Sequence, residues 1–463
     1  MAEILWTSAD IAAATGGRLV GGPFEATGVS IDSRAVDAGD LFVALTGERD
    51  GHAFVPGALA AGAAGALASK AVEGPHVLVP DTLKALEAMG VAARDRSRAV
   101  RAAVTGSVGK TSVTQAIAAG LAGAGRWHSS VKSYNNHIGV PLTLARMPWA
   151  TERAVFEIGM NHEGEIAPLS HMVRPEVAVV TTVGPVHIEN FPDGEEGVAR
   201  AKAEIFDGIE PGGVAVLNAD NRWFELLSLR ARAAGARVVS FGSGEGCDAR
   251  LLDFSAAHGQ ASVRAMVHGA AVSYPLLQTG LHWGLNSLCA LLALEAMNVD
   301  RATALEALGA FAPLAGRGAE TTVRIPGGVF TLIDESYNAN PISMAAALKT
   351  LGARQGRGRR IVALTDMLEL GPDGPAFHAA LAGPIEAANV DLVFCAGPMM
   401  KSLWDALPPT RRGGYAEAAA DLAPRVASAA EPGDLVMVKG SNGSRASVIA
   451  AALGALDHRG ETA

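Results

Sequence analysis

The sequence predicts an α/β protein of three domains, the second built on a parallel sheet behind a Gly-rich loop and the third Rossmann-like. Three observations carry this. The chain has 463 residues, of which 49% are hydrophobic and 18% charged, so at roughly 150 residues per domain each unit has apolar material for its own core. From residue 99 onward, short Val- and Ala-rich strands alternate with helical segments, as in a parallel sheet. The pattern restarts near residue 99 and breaks again at APLAGRGAE near residue 315, giving expected domains 1–98, 99–315 and 316–463.

Taken in order, Leu41 to Leu45 reads as a strand after the Gly39-Asp40 turn. Phe54 to Ala68 is Ala-rich and reads as one helix, and His76 to Val79 is another strand. From Asp81 to about Arg98 an amphipathic helix is expected, with Leu83, Leu86 and Met89 on one face and Asp81 or Thr82 as its N-cap. The strand Ala99 to Val104 runs into TGSVGKTS and a helix carrying Val113, Ile117 and Leu121. Further strands are expected at Ala154 to Ile158, Val177 to Val183, Val214 to Leu217 and Val238 to Phe241, with a small appended sheet within 251–277. The last section repeats the alternation: strand Val329 to Ile333, a helix opened by Pro341 in its first turn, then strands Ile361 to Leu364, Leu392 to Cys395 and Leu435 to Val438.

Composition narrows the function. Lys and Arg number 38 against 47 Asp and Glu, a net charge of -9, so no electrostatic footprint for nucleic acid is expected. Cys247, Cys289 and Cys395 lie far apart, which argues against a disulfide framework or structural zinc and for a reducing cytoplasm. MAEILWTSADIAAATGG does not read as a signal peptide, and no run of 18 apolar residues is present, so no integral membrane contact is expected.

TGSVGKTS lies between a strand and a helix, the context of a phosphate-binding loop. Gly106 and Gly109 allow a tight turn whose N–H groups, from Thr105 through Ser107, Val108 and Ser112, can surround phosphate oxygens at a helix N-terminus. Lys110 can then reach the β/γ-phosphates and the Thr111 hydroxyl can ligate magnesium. Val104 stands where the general loop has its first Gly. Downstream, Glu157 ends a strand, where open α/β sheets place ligand contacts; His187 follows the next strand, and Lys202 lies in the helix ARAKAEIF.

The combination TGSVGKTS, EIGMNHEGEI, GPVHIENF, AKAEIF, NADN, GLHWGLNSLCAL, IDESYNANPISM, TDMLELG and KGSNGS resembles the Mur ligases of peptidoglycan synthesis. GVSIDSRAVDAGDLFVALTGERDGHAFVPGALAAGA is similar to that family's uridine-nucleotide-binding module. The resemblance implies a first domain for the uridine substrate, a central ATP-binding domain and a C-terminal Rossmann-like domain. It also implies ATP-dependent addition of D-alanyl-D-alanine to UDP-N-acetylmuramoyl-tripeptide through an acyl phosphate, by a cytoplasmic monomer that uses Mg2+.

By resemblance, Lys110, His187 and Lys202 are the catalytic set. Thr111 and Glu157 would hold one magnesium, and His187 with a carbamylated Lys202 a second. Asn286 would meet the adenine, Arg317 the γ-phosphate, and Asp334 with Asn338 and Asn340 the nucleotide. Trp283 and Glu335 depart from the family pattern, which has Asn and Asp there. Ser33 and Arg34, and less directly Asp50, Gly51 and His52, would bind the nucleotide-sugar; Asn135, Asn136, Asn161 and His162 would line the sugar-peptide path, with His378 near the third-domain face. The alternatives are another Mur ligase, a folylpolyglutamate synthetase-like ligase, which lacks the first module, or a P-loop regulatory ATPase.

Overall fold

Two capped helices frame the first domain in the computed structural model, which describes residues 3–130, 133–257, 259–354 and 358–457. Thr7 and Asp10 form a reciprocal capping box on helix Ser8–Thr15, and Asp81 accepts from the N–H groups of Leu83 and Lys84 to start helix Thr82–Arg96. They pack on a five-stranded sheet in the order Arg18–Val20, His76–Leu78, Gly65–Ala68, Asp40–Val43, Gly28–Ser30. Only the pairing of Arg18–Val20 with His76–Leu78 is antiparallel. Leu86, Met89 and Ala93 of the second helix share a core with Leu142 and Ala145, so this sheet is joined firmly to the next region.

The expected single helix from Phe54 to Ala68 is corrected. A 3-10 turn at Gly51–Phe54 leads into helix Val55–Ala60, and Gly65–Ala68 is a strand buried along its whole length. Gly62, at φ 103°, turns the chain between them in a conformation open to glycine.

The central sheet has nine strands in the order Ala270–Leu276, Gln260–Val267, Ala249–Ala257, Arg237–Gly242, Val214–Asn218, Val177–Val180, Val100–Thr105, Arg153–Glu157, Trp127–Ser129. Pairing is parallel from Trp127–Ser129 as far as Ala249–Ala257. The segment expected as an appended sheet is instead continuous with this one: Phe241 pairs with Ala249 and Gly242 with Arg250, after which the strands turn antiparallel. Helix Lys110–Ala122 packs against helix Trp283–Ala296 so closely that a Cβ at Gly120 would stand 2.4 Å from Leu294 Cδ1.

The third sheet has six strands in the order Ala319–Ile325, Gly328–Glu335, Leu435–Lys439, Arg360–Thr365, Leu392–Ala396, Arg412–Ala416. Apart from the first hairpin the pairs are parallel, and the two outer strands were not among those expected. Asn340 caps helix Pro341–Ala353, whose proline sits in the first turn as expected. Among the described residues no helix is long and apolar enough to cross a membrane. The carboxyl ends of Val100–Thr105 and Arg153–Glu157 face those of Gly328–Glu335 and Leu435–Lys439 across a cleft, and residues from both sides line it.

Candidate active site

The Gly-rich loop owes its shape to contacts that only glycine allows. Gly106 has φ 151°, and a Cβ there would stand 1.9 Å from Thr181 Oγ1. Gly109, at φ 87°, starts helix Lys110–Ala122 and faces the Asn286 side chain, whose Oδ1 would lie 3.4 Å from an added Cβ. The next strand's end holds the loop: the Thr181 hydroxyl donates to Val108 O (2.6 Å), Ser107 N–H donates to Thr182 O (2.8 Å), and the Ser107 hydroxyl donates to Gly184 O (3.0 Å). Lys110 Nζ donates to Gly106 O at 2.7 Å, folded over the loop it would serve. Burial pulls its pKa below the ordinary lysine value, opposed by the nearby Glu157 carboxylate.

A cavity of about 420 Å³ opens between the central and third domains. Its central wall carries Ser107 through Ser112, Asn135, Glu157, His187 and Asn286; its other wall carries Arg317, Glu335, Tyr337, Asn338 and Lys439. Arg317 crosses the gap. Its Nη2 donates to the Thr111 hydroxyl at 3.1 Å, and its guanidinium lies 4.1 Å from the centroid of the Tyr337 ring. The Tyr337 hydroxyl in turn lies 3.0 Å from Ser133 Oγ.

Three buried groups at the central wall stand out. Glu157 is 1% exposed; its Oε1 accepts from Asn135 Nδ2 at 2.7 Å, while its Oε2 has no hydrogen-bond partner among the described residues. A buried carboxylate oxygen left open is costly unless a ligand completes it. Lys202 is buried, has no hydrogen-bond or ion-pair partner among the described residues, and is not part of the cavity lining. Burial, and then the Lys110 charge, hold its pKa well below the ordinary lysine value, which favours the neutral amine. His187 borders the cavity with Nδ1 2.6 Å from Glu369 Oε2, a carboxylate of the third domain. Burial lowers the His187 pKa against the opposing pull of Glu369.

This phosphate-loop cleft is matched by the comparisons with known proteins. The Mur ligase middle domain matches residues 104–294, the Mur ligase glutamate ligase domain matches 321–442, and the Mur ligase family catalytic domain matches 25–104. The UDP-N-acetylmuramoyl-tripeptide--D-alanyl-D-alanine ligase of Bacillus subtilis is 32% identical over 452 residues, covering 95% of this chain and 96% of that one. The chain belongs to the Mur ligase family. The crystal structure of MurF from Acinetobacter baumannii has a TM-score of 0.85 at 26% identity, covering 97% of this chain and 99% of that one. MurF ligase from Thermotoga maritima in complex with ADP shares the fold, with a TM-score of 0.78 at 23% identity and coverage of 93% and 97%.

In this Mur ligase several residues expected at the site lie elsewhere. Asp334 does not line the cavity. Its Oδ1 accepts from Ser336 N–H at 3.0 Å, and strand alternation puts the neighbouring Glu335 on the cavity side, held by Lys439 Nζ at 3.2 Å. Thr105 is buried at the root of the loop, outside the lining. Asn136 also lies outside it and accepts from Ile138 and Gly139 N–H at the start of helix Gly139–Ala145. Asn161 lines the cavity, whereas His162 is exposed and pairs with Glu165 at 3.2 Å.

Ser33 and Arg34 occupy a turn away from this cavity. The Arg34 side chain is 88% exposed, with Nη2 2.8 Å from Asp32 Oδ2. In the same domain His52 Nδ1 lies 2.6 Å from Asp50 Oδ1, which also begins the 3-10 turn at Gly51. His378 is buried beneath the third domain's surface: Nδ1–H donates to Gly374 O (2.6 Å) and Nε2 accepts from Met367 N–H (2.9 Å). Trp283 is buried with its ring 5.7 Å from that of Phe311. Thr181, Thr182, Asn218 and Ser343 line the cavity without having been expected there, as do Ser133, Tyr337 and Lys439; the last opens KGSNGS at a strand's carboxyl end, a position that could have marked it.

Proposed function

We propose that this Mur ligase joins D-alanyl-D-alanine to UDP-N-acetylmuramoyl-tripeptide at the expense of ATP, as a cytoplasmic monomer in peptidoglycan precursor synthesis. The observation that carries this reading is Arg317 reaching from the third domain onto the Thr111 hydroxyl of the phosphate loop, over a cavity that also holds Glu157, His187 and Asn286. The domain roles follow the expected boundaries: 1–98 for the uridine substrate, 99–315 for ATP, and 316–463 for closure over nucleotide and amine. One chain supplies both walls of the cavity, in keeping with a monomer.

The chemistry has two steps. A carboxylate oxygen of the tripeptide attacks the γ-phosphorus of ATP, forming an acyl phosphate as the bond to the β-phosphate oxygen breaks and ADP leaves. The dipeptide amine then attacks the acyl carbon, loses a proton to solvent, and phosphate departs with its bridging oxygen. In both steps charged groups must be aligned and their repulsion offset, so catalysis is chiefly positioning and electrostatics. Lys110 and the amides from Gly106 to Ser112 would hold the β/γ-phosphates. Arg317 offers a planar fork to the transferring phosphoryl group, and Asn286 would meet the adenine. Glu335, in place of Asp334, would take the nucleotide's ribose side together with Asn338. Asn135 steadies Glu157, and Asn161 borders the peptide path.

The site fits magnesium. Among the described residues no three His, Cys, Asp or Glu side chains cluster as a metal site. Mg2+, however, characteristically takes few protein ligands and completes its shell with phosphate oxygens and water. Thr111 and the open Oε2 of Glu157 would hold one ion, and His187 with Lys202 a second; bound there, Mg2+ would neutralise phosphate charge. A protonated Lys202 would repel it. The neutral amine favoured by burial can instead add to CO2, releasing a proton and giving an anionic carbamate, in keeping with its having no partner among the described residues.

The deciding experiment measures ADP formation by purified protein with ATP, UDP-N-acetylmuramoyl-tripeptide and D-alanyl-D-alanine, omitting one at a time. Stoichiometric ADP only in the complete mixture is expected. Steady ADP release from ATP alone would identify a regulatory ATPase instead.

A further inference from the structure

We propose that Glu369 is a positioning residue for ligation: as the cleft closes, the third domain delivers this carboxylate to His187 and so sets which imidazole nitrogen carries the proton. The inference rests on the reading of the cavity given above, and it assigns a function to a side chain outside the cavity lining.

The contact is direct, with His187 Nδ1 2.6 Å from Glu369 Oε2. An ionised carboxylate can only accept, so in the neutral imidazole it holds the proton on Nδ1 and leaves the lone pair on Nε2, on a ring that borders the cavity. Outer carboxylates orient histidines in this way when the other nitrogen must meet a ligand. Both partners hold unusual backbones: His187 has φ 52° and Glu369 φ 62°, left-handed conformations that a side chain rarely adopts.

The loop that carries Glu369 is anchored residue by residue. Asp366 accepts from Met400 N–H at 2.8 Å, Met367 N–H donates to buried His378 at 2.9 Å, and Leu368 N–H donates to Ser441 Oγ at 3.1 Å. Glu369 is therefore projected from a fixed base. Gly371, at φ 62°, brings the same loop against the chain beyond His187, where an added Cβ would stand 3.0 Å from Glu189 Cβ. The two loops fit one another around the carboxylate-imidazole contact. With its side chain 57% exposed, Glu369 adds little to fold stability, so its effect should fall on orientation.

The test compares the wild type with Glu369→Ala and Glu369→Gln in steady-state ligation and thermal melting, and adds side-chain 15N spectra of the metal-free proteins. The His187 signal is assigned by its loss in His187→Gln. Expected for Glu369→Ala are a kcat about 10–100-fold lower, a KM for the uridine nucleotide within about twofold of wild type, and an unchanged Tm. Glu369→Gln should recover part of kcat, because its carbonyl can still accept from Nδ1–H. In the spectra the wild type should hold the Nδ1–H tautomer and Glu369→Ala should lose it. An unaltered tautomer in Glu369→Ala, or a kcat loss accompanied by an equal loss of Tm, overturns the proposal. The spectra read the tautomer whichever substrates the wild type accepts, so failure of the ligase reading, seen as an inactive wild type, is distinguished from failure of this one.

Discussion

The two walls of the cleft hold their side chains by different means. On the central wall a strand, the four-residue loop Gly106–Gly109 and a helix follow one another in the chain, so Thr105 to Ser112 are placed by local geometry and pinned by Thr181 and Thr182. On the third-domain side Arg317, Glu335 and Lys439 of the wall, and Glu369 outside the lining, come from four separate segments. Each is steadied by a tertiary contact: Arg317 by Tyr337, Glu335 by Lys439, and the Glu369 loop by His378 and Ser441. The central wall is thus shaped by geometry local in the chain, whereas the third-domain wall depends on contacts between distant segments.

Three substitutions probe that contrast, from the largest expected effect downward. Lys202→Ala removes a buried amine of the central domain and should lower ligation by about 10²–10³-fold. Added short carboxylic acids should restore part of the rate, and turnover at the wild-type level would remove Lys202 from the mechanism. Arg317→Lys keeps the charge that crosses between walls but loses the fork. A loss equivalent to about 1.5–3 kcal/mol, roughly 10–100-fold in kcat, is expected, with little change in Tm. A variant with full kcat would show that the bridge to Thr111 plays no part in phosphoryl transfer.

His378→Ala acts only on the support of the third-domain wall. It leaves Met367 N–H without its partner and should cost about 1–3 kcal/mol of stability in denaturant unfolding, with a smaller change in kcat than either substitution above. The pH dependence has a definite sign. Burial lowers the His378 pKa in the fold, so the unfolded chain takes up the proton first and stability falls as pH drops below about 6.5. His128, buried and held at about 4 chiefly by desolvation, acts in the same direction. His378→Ala should flatten part of this slope; a slope identical to wild type would contradict the assignment.

The same contrast governs what could be read from the amino acids. The loop at Thr105 to Ser112 and the helix capped by Asp81 were legible because their determinants lie within a few residues. Gly65–Ala68 reads as helix in the sequence because a strand buried on both faces shows no alternation, and its Gly-Ala-Leu-Ala composition suits either form. Arg412–Ala416 escaped notice because RGGYA on a sheet edge has little strand signal. The sequence does not separate Asp334 from Glu335, because which of two adjacent strand residues faces a cleft depends on how the sheet meets its neighbours. Glu369 could be seen only once two distant loops were brought together.

The central claim is that carboxylate oxygen is passed to the γ-phosphoryl group before the amide bond forms. The most direct measurement uses tripeptide substrate with both oxygens of its acceptor carboxylate labelled with 18O and follows the label through one turnover. The account predicts one labelled oxygen in the inorganic phosphate released and the other in the new amide carbonyl. Phosphate free of label, with amide formed at the normal rate, would contradict it.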